Sequence, residues 1–428
     1  MRTTLFYVPA EFAGQPLFGI GWLLFAWIAL GVVGALILWQ NPQTRRELPG
    51  YLPVFLLIAA VIAFVLPTLV EPGPGGKPLG LPVRGYGVMM MLGTVLAVAL
   101  AAYRAHQVGI DPDVIYSLAI TMFIAGIIGA RVFYVAEYWN QEFSPRRTGS
   151  VIATIQSIAN VPKGGLVVYG SVLFGVPAGI WFCLRRGLKV LAIGDIIAPS
   201  MVVGQSLGRV GCFLNGCCFG GVCLNHDYAM TFPADSPPYA QHASLGWHSG
   251  LWPIEKGDRV AVGYLDPAGP ASHAGLKPGD HIASINGVAV DSLSRAQQLL
   301  ASSQSGFEIA TDDGRVARWT TPPAPPRSVP IHAAQLYAAI DAGLLACFLW
   351  LFFPYRTRDG EVFAVLLTVH PISRFLIEMI RSDEPKYPLT VSQWLSIGLF
   401  LAGIALWIAI ERGPRRCNLP PAPSPLPA

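Results

Sequence analysis

The chain has 428 residues, of which 53% are hydrophobic and only 13% charged, and its formal net charge is +4. A soluble domain carries about 25% charged residues, so this composition excludes one, and the mean hydropathy of +0.50 agrees. The small positive balance, with no basic patch, also excludes a nucleic-acid-binding surface.

Nine apolar runs follow in chain order, at about 17–39, 51–70, 85–104, 113–136, 165–184, 190–212, 332–354, 360–380 and 391–411. Each is close to the ~20 residues that cross a ~30 Å hydrocarbon layer as a helix. The fold class expected is therefore an all-α polytopic membrane protein with about nine transmembrane helices. The residues before the first run lack a basic stretch followed by an apolar core and a small-residue cleavage site, so they do not read as a typical signal peptide. Arg45, Arg46, Arg104, Arg185, Arg186, Lys189, Arg356, Arg358, Arg412, Arg415 and Arg416 fall on alternate short loops and the C-terminal tail. Those anchors make that side cytoplasmic by the positive-inside rule. The other side holds Arg2, Lys77, Arg84, Arg146, Arg147, Lys163, Arg381 and Lys386, spread over longer connections. The N-terminus is then outside and the C-terminus inside.

Residues 213–331 form the long polar interval, placed outside the cytoplasm by this topology. Within it, Val260 begins a strand-like run, followed by Gly269-Pro270-Ala271, a short helix and Gly275-Leu276-Lys277-Pro278-Gly279-Asp280. A β-run from His281 to Ile285 and an Asn286-Gly287 hairpin turn come next. Ser292 to Ser302 is helix-like, and Phe307 to Ala310 and Val316 to Thr320 read as short strands. This order resembles a bacterial PDZ domain over residues 255–322. The resemblance implies an extracytoplasmic α+β insert that binds an extended peptide or protein ligand by strand addition. Pro322 to Pro326 reads as a stiff linker back to the membrane, and the proline-rich tail after Arg416 as disordered.

Polar motifs interrupt the spans. Gly208 to Gly221 reads GRVGCFLNGCCFGG, an arginine among glycines where hydrocarbon is expected. A guanidinium at membrane depth costs about 2.5–3.5 kcal/mol on insertion scales, which favours a partner or a task. His370, Arg374 and Glu378 recur at i, i+4 and i+8, with Arg381 three residues on, so a helix would carry them as one stripe. Taken alone, the stripe is equally an Arg374–Glu378 pair that locks helix packing. With Arg209 added, positive charge exceeds what one carboxylate neutralises, and the surplus suits a phosphate-bearing ligand.

Together these segments resemble the phosphatidylglycerol–prolipoprotein diacylglyceryl transferase family. The glycine-rich signature matches at Gly208, Arg209, Gly211, Phe213, Asn215, Gly216 and Gly220; Tyr86-Gly87 and Gly129-Ala130-Arg131 match two earlier motifs. His332, Gln335, Leu336 and Tyr337 match another, and Arg374, Glu378 and Arg381 the last. The resemblance divides the chain into a two-span N-terminal extension (1–80), the first part of a transferase-like core (81–224), an extracytoplasmic loop (225–254), the PDZ-like insert (255–322), the second part of the core (323–411) and a cytoplasmic tail (412–428). It implies a bacterial inner-membrane enzyme that moves the diacylglyceryl group from phosphatidylglycerol to the lipobox cysteine of a prolipoprotein signal peptide, releasing glycerol phosphate. Arg209 and Arg374 would bind phosphate, and Asn215, Gly216 and Gly220 would shape the headgroup pocket. Arg131, Gln335, Tyr337 and Arg381 join the substrate-binding set, with Glu378 orienting Arg374. His370, Tyr169 or Tyr86 would polarise or deprotonate the thiol. The scheme calls for no metal and no other cofactor.

The chain departs from the family pattern where Tyr169 replaces a histidine, Cys212 an asparagine, Cys217 a glutamate, and His370 a tyrosine. The exchange of a histidine and a tyrosine between two segments predicts that His370 and Tyr169 face one cavity. The departures also leave a second reading, a lipid-binding paralogue acting as a PDZ-bearing scaffold, and a third, a transferase for another acceptor. Cys212, Cys217, Cys218 and Cys223 cluster at the outer face, where an oxidising compartment permits a disulfide between Cys217 or Cys218 and Cys223. Plain packing, a thiol acting in catalysis and a metal site remain alternatives, though the paired C-x2-C spacing of a metal site is missing.

Overall fold

The computed structural model describes residues 4–40, 48–73, 77–144, 147, 149–160, 164–224, 227–234, 236–303, 306–321, 325–381, 388–413 and 417. Outside these lie the expected anchors Arg2, Arg45, Arg46, Arg146, Lys163, Lys386, Arg415 and Arg416, most of the proline linker, and the tail beyond 417. Two compact units are distinguished, Met1–Met89 with Leu214–Cys217, and Met90–Phe213 with Cys218–Ala428.

The first unit opens with β1 (Thr4–Val8) and a short hairpin of β2 (Glu11–Phe12) and β3 (Gln15–Pro16). Two apolar helices follow, α1 (Trp22–Gln40) and α2 (Leu48–Ala60), the second running on through π and 3-10 turns to Leu69. Trp27 stacks on Phe55 at 5.3 Å between centroids, and its indole N–H donates to the Phe55 carbonyl at 3.1 Å. Leu30, Leu36, Ile37, Leu56 and Leu57 are exposed, as side chains facing lipid would be. β4 (Glu71–Pro72) and β5 (Pro78–Arg84) then pair, and β1 joins the other edge of β5, with Tyr7 opposite Pro82. Glu71 ties the sheet: the Tyr7 hydroxyl donates to one of its oxygens and Arg84 to the other, both at 3.0 Å. No strand was expected here.

The second unit takes over within α3 (Gly85–Gln107) and continues through α4 (Pro112–Glu137), α5 (Val151–Ala159), α6 (Val168–Arg185) and α7 (Val190–Asn215). The Asp111 carboxylate caps α4 by accepting from the Asp113 amide at 3.0 Å. Small residues let the backbones meet, as in other membrane bundles. A Cβ on Gly129 would collide with Gly170 and Phe174, and one on Gly93 would stand 3.0 Å from the Gly204 carbonyl.

After α8 (Pro237–Ser244) comes an α+β module: β6 (Leu251–Lys256), β7 (Arg259–Leu265), α9 (Pro270–His273), β8 (Ile282–Ile285), β9 (Val288–Ala289), α10 (Leu293–Ser302), β10 (Phe307–Thr311) and β11 (Val316–Trp319). Its main sheet has the order β11-β10-β8-β9, and β6 pairs antiparallel with β7. Asn286 and Gly287 take positive φ of 49° and 77°, the paired left-handed geometry of a tight hairpin turn. Leu251, Val262, Ile285, Leu300 and Ile309 bury completely between the sheet and α10, which gives the module its own core.

The chain returns through α11 (Ala334–Phe352), α12 (Glu361–Glu378) and α13 (Val391–Arg412). Eight helices among the described residues are long and apolar enough to span a membrane. The ninth expected span is α12, which carries Glu361, Arg374 and Glu378 and is not among the eight. Its start is capped by buried Asp195 of α7, which accepts from the Gly360 amide at 2.7 Å and the Phe363 amide at 2.9 Å. Two of the expected surface anchors are interior. Arg104 and Arg356 are 4% and 6% exposed; Arg104 lies 3.8 Å over the Trp350 ring and donates to the Trp350 carbonyl, while Arg356 stands 4.0 Å from Asp195. A buried carboxylate and an aromatic shelf offer these guanidinium groups partners that a lipid surface does not.

Candidate active site

The stripe read from the sequence forms on α12. Arg374 Nη2 lies 2.7 Å from Glu378 Oε2, and Arg381 Nε stands 3.7 Å from the same oxygen. Thr390, the N-cap of α13, donates its hydroxyl to Glu378 Oε1 at 3.4 Å. Glu378 is thus buried among two guanidinium groups and a hydroxyl. Arg209 of α7 acts electrostatically on both Arg374 and His370, so the two helices present their charges to one region. Arg374 and Arg381 share this carboxylate, and Arg209 adds a third positive charge that acts on Arg374. Asp341 of α11, which also acts on His370, accepts a hydrogen bond from Ser373 at 2.7 Å. The balance left around Arg209 and Arg374 is cationic, and fork-shaped donors at such a place match phosphate oxygens.

The glycine-rich loop is pinned beside this cluster by its backbone. Gly220 N donates to the His332 carbonyl at 2.9 Å, Gly221 N to the Ile380 carbonyl at 2.8 Å, and His332 N to the Gly221 carbonyl at 3.0 Å. Gly220 pairs with Arg381 as an isolated antiparallel bridge. A Cβ at Gly220 would stand 2.7 Å from His332 Cβ and 3.0 Å from the Ile380 carbonyl, so this close approach requires glycine. The His332 ring lies 6.0 Å from Tyr228 and 6.3 Å from Tyr337, and Gln335 is fully buried at the start of α11.

Other predicted residues take different places. Arg131 is buried and spends its donors on backbone carbonyls: Ser157 at 2.7 Å, Ile158 at 2.9 Å, Gly164 at 2.8 Å, Gly165 at 3.0 Å and Asn160 at 3.4 Å. It knits the connection between α5 and α6. Tyr169 is exposed on α6, and among the described residues no hydrogen bond joins it to His370, whose Nε2 instead meets Gln205 at 3.2 Å. Tyr86, Asn215 and Gly216 belong to the first unit. Gly85 there seats against Leu214, with a Cβ only 3.1 Å from Leu214 Cδ1, which brings the start of α3 to the end of α7. Cys212 and Cys218 hold their sulfurs within 4.8 Å of each other as thiols, whereas Cys223 is buried separately with its thiol pKa raised by desolvation. Gln205, Asp341 and Ser373 were missed; a glutamine one turn before Arg209 in an apolar run was the available signal for the first.

These features define an integral membrane protein whose helices bring half-buried arginines, a buried carboxylate and an imidazole together beside a glycine-pinned loop. The family model described as "Prolipoprotein diacylglyceryl transferase" matches residues 77–409. A phosphatidylglycerol–prolipoprotein diacylglyceryl transferase from Rhodopirellula baltica is 32% identical, over 96% of this chain and 90% of that protein. Proteins of the same description from Clostridium tetani (23% identical, 76% of this chain and 92% of the relative) and Synechococcus elongatus (33%, 42% and 57%) are also similar. The chain belongs to the prolipoprotein diacylglyceryl transferase family.

Proposed function

We infer that the chain transfers the diacylglyceryl group of phosphatidylglycerol to the lipobox cysteine thiol of a prolipoprotein, releasing glycerol phosphate, in a bacterial inner membrane. The observation that carries the site assignment is the convergence of Arg209 and Arg374 on one region with a single buried carboxylate, Glu378, shared by Arg374 and Arg381. The thiolate sulfur attacks the glycerol carbon that bears the phosphate. An S–C bond forms, the C–O bond breaks, and its electron pair leaves on the phosphate. Arg209 and Arg374 stabilise that charge, Glu378 and Arg381 hold Arg374 in place, and the loop at Gly220 borders the headgroup, while Asn215 and Gly216 are assigned to headgroup binding by the family motif they match. Gln335 and Tyr337 line the same approach, and Arg131 serves the site by fixing the connection between α5 and α6.

The thiol proton is assigned to His370, with Tyr169 and Tyr86 as the phenolic groups to test beside it. Support for His370 comes from its seat, within electrostatic reach of Arg209 and Arg374. The α+β module takes a PDZ-like role, receiving an extended peptide or protein terminus and so helping to position substrates. Its strand order, the Asn286-Gly287 turn and α10 against the sheet support that reading. The distribution of basic residues favours a module and N-terminus outside the cytoplasm and a C-terminus within it.

Purified chain supplied with labelled phosphatidylglycerol and a lipobox peptide should form a thioether product, and His370→Gln should lose most of it. A wild-type protein that binds the lipid but forms no thioether would leave a lipid-binding scaffold in place of an enzyme.

A further inference from the structure

Gln205 lies on α7 one turn before Arg209, so both project from one face of that helix. Its amide Nε2 is 3.2 Å from Nε2 of His370 on α12. An amide nitrogen donates and does not accept, so in this pairing His370 Nε2 holds the lone pair and Nδ1 carries the ring proton. Nδ1 is buried and has no hydrogen-bond partner among the described residues. The charged groups that act electrostatically on the ring are Arg209 from α7, Asp341 from α11, and Arg374 from α12 itself. Turning the amide about its last torsion would present its oxygen to an Nε2–H and move the lone pair to Nδ1. The glutamine thus occupies one ring nitrogen in either state and leaves the other for a ligand.

We propose that Gln205 is a positioning residue for the transfer: it holds Nε2 of His370 in either tautomer, fixes the orientation of the ring, and leaves Nδ1 as the nitrogen that meets the substrate. With the amide oxygen inward, Nδ1 accepts the thiol proton and Nε2–H stays bonded to Gln205. With the amide nitrogen inward, Nδ1–H is a donor able to bond a phosphate oxygen. The inference rests on His370 handling the thiol proton.

The test compares wild type with Gln205→Met, Gln205→Glu, His370→Phe and the double variant Gln205→Met/His370→Phe, all as full-length protein in phosphatidylglycerol-containing nanodiscs. Gln205→Met should lower kcat about 10²-fold, the low end of what general acid–base groups contribute, with KM for the lipid within about twofold. Gln205→Glu, which keeps an acceptor of the same shape, should recover part of that loss. In the His370→Phe background, Gln205→Met should have no further effect. Nitrogen chemical shifts of selectively labelled histidine should report a hydrogen-bonded Nε2 of His370 in wild type and its loss in Gln205→Met. Losses that add, or a His370 spectrum unchanged by Gln205→Met, overturn the positioning role while leaving His370 in place. A His370→Phe protein as active as wild type overturns the underlying assignment instead.

Discussion

Arg374 and Glu378 form a 2.7 Å ion pair one helical turn apart on α12, and the carboxylate of that pair is almost wholly buried. Removing one partner of a buried pair leaves an uncompensated charge and costs about 3–5 kcal/mol. Here the guanidinium left behind would also face Arg381 and Arg209. Glu378→Ala should therefore lower the thermal midpoint in detergent by several degrees, and Glu378→Gln by less, because the amide still accepts a hydrogen bond. Equal midpoints for wild type and Glu378→Ala would show that the carboxylate does not hold the cluster.

Gly220 and Gly221 are adjacent but differ in what surrounds them. A Cβ at Gly220 meets His332 at 2.7 Å, whereas one at Gly221 comes no nearer than 3.6 Å to the Ile380 carbonyl. Forcing a methyl into such a contact costs about 1–3 kcal/mol. Gly220→Ala should raise KM for phosphatidylglycerol and reduce turnover, while Gly221→Ala stays near wild type. The two KM values decide it.

Arg131 was placed from the sequence in the substrate-binding set, and its donors are engaged by carbonyls of the connection between α5 and α6. Arg131→Ala should open that connection to proteolysis and reduce stability by about 1–3 kcal/mol for the polar groups left unpaired. Lysine should not replace it, since a point charge cannot serve a fan of acceptors. Limited proteolysis of residues 157–165, with lipid binding measured in parallel, separates a structural loss from a binding loss.

His242 on α8 is buried between Phe219 of the glycine-rich loop, 6.2 Å away, and Trp252 of β6, 5.0 Å away. Desolvation lowers its pKa from 6.5 to about 4. The unfolded state therefore binds the extra proton first on acidification. Stability is full above the unfolded value near 6.5 and falls as pH drops from there toward 4, by on the order of 3 kcal/mol. The thermal midpoint of the module region should fall across that window, and His242→Phe should flatten the profile. A wild-type midpoint level from pH 7 to pH 4 would contradict the burial.

Local period and composition encode much of the fold. Apolar length marked eight of the helices; glycine and proline turns marked the strands of the module; i, i+4 spacing marked the Arg374–Glu378 stripe. What they leave out depends on neighbours far apart in the chain. β1 finds β5 some 75 residues later because Glu71 bonds both Tyr7 and Arg84. Arg104 and Arg356 looked like surface anchors, yet aromatic shelves and Asp195 draw them inside. The hydrogen bond between Gln205 and His370 crosses 165 positions, and only the packing of α7 near α12 reveals it.

The most direct measurement of the central claim is thioether formation on a lipobox peptide by the purified full-length chain, comparing wild type with Arg209→Ala and Arg374→Ala. If the two guanidinium groups stabilise the departing phosphate, wild type turns over and each variant loses about 10²–10³-fold in kcat, as removal of one oxyanion donor does. Wild-type turnover matched by either alanine variant would contradict the assignment.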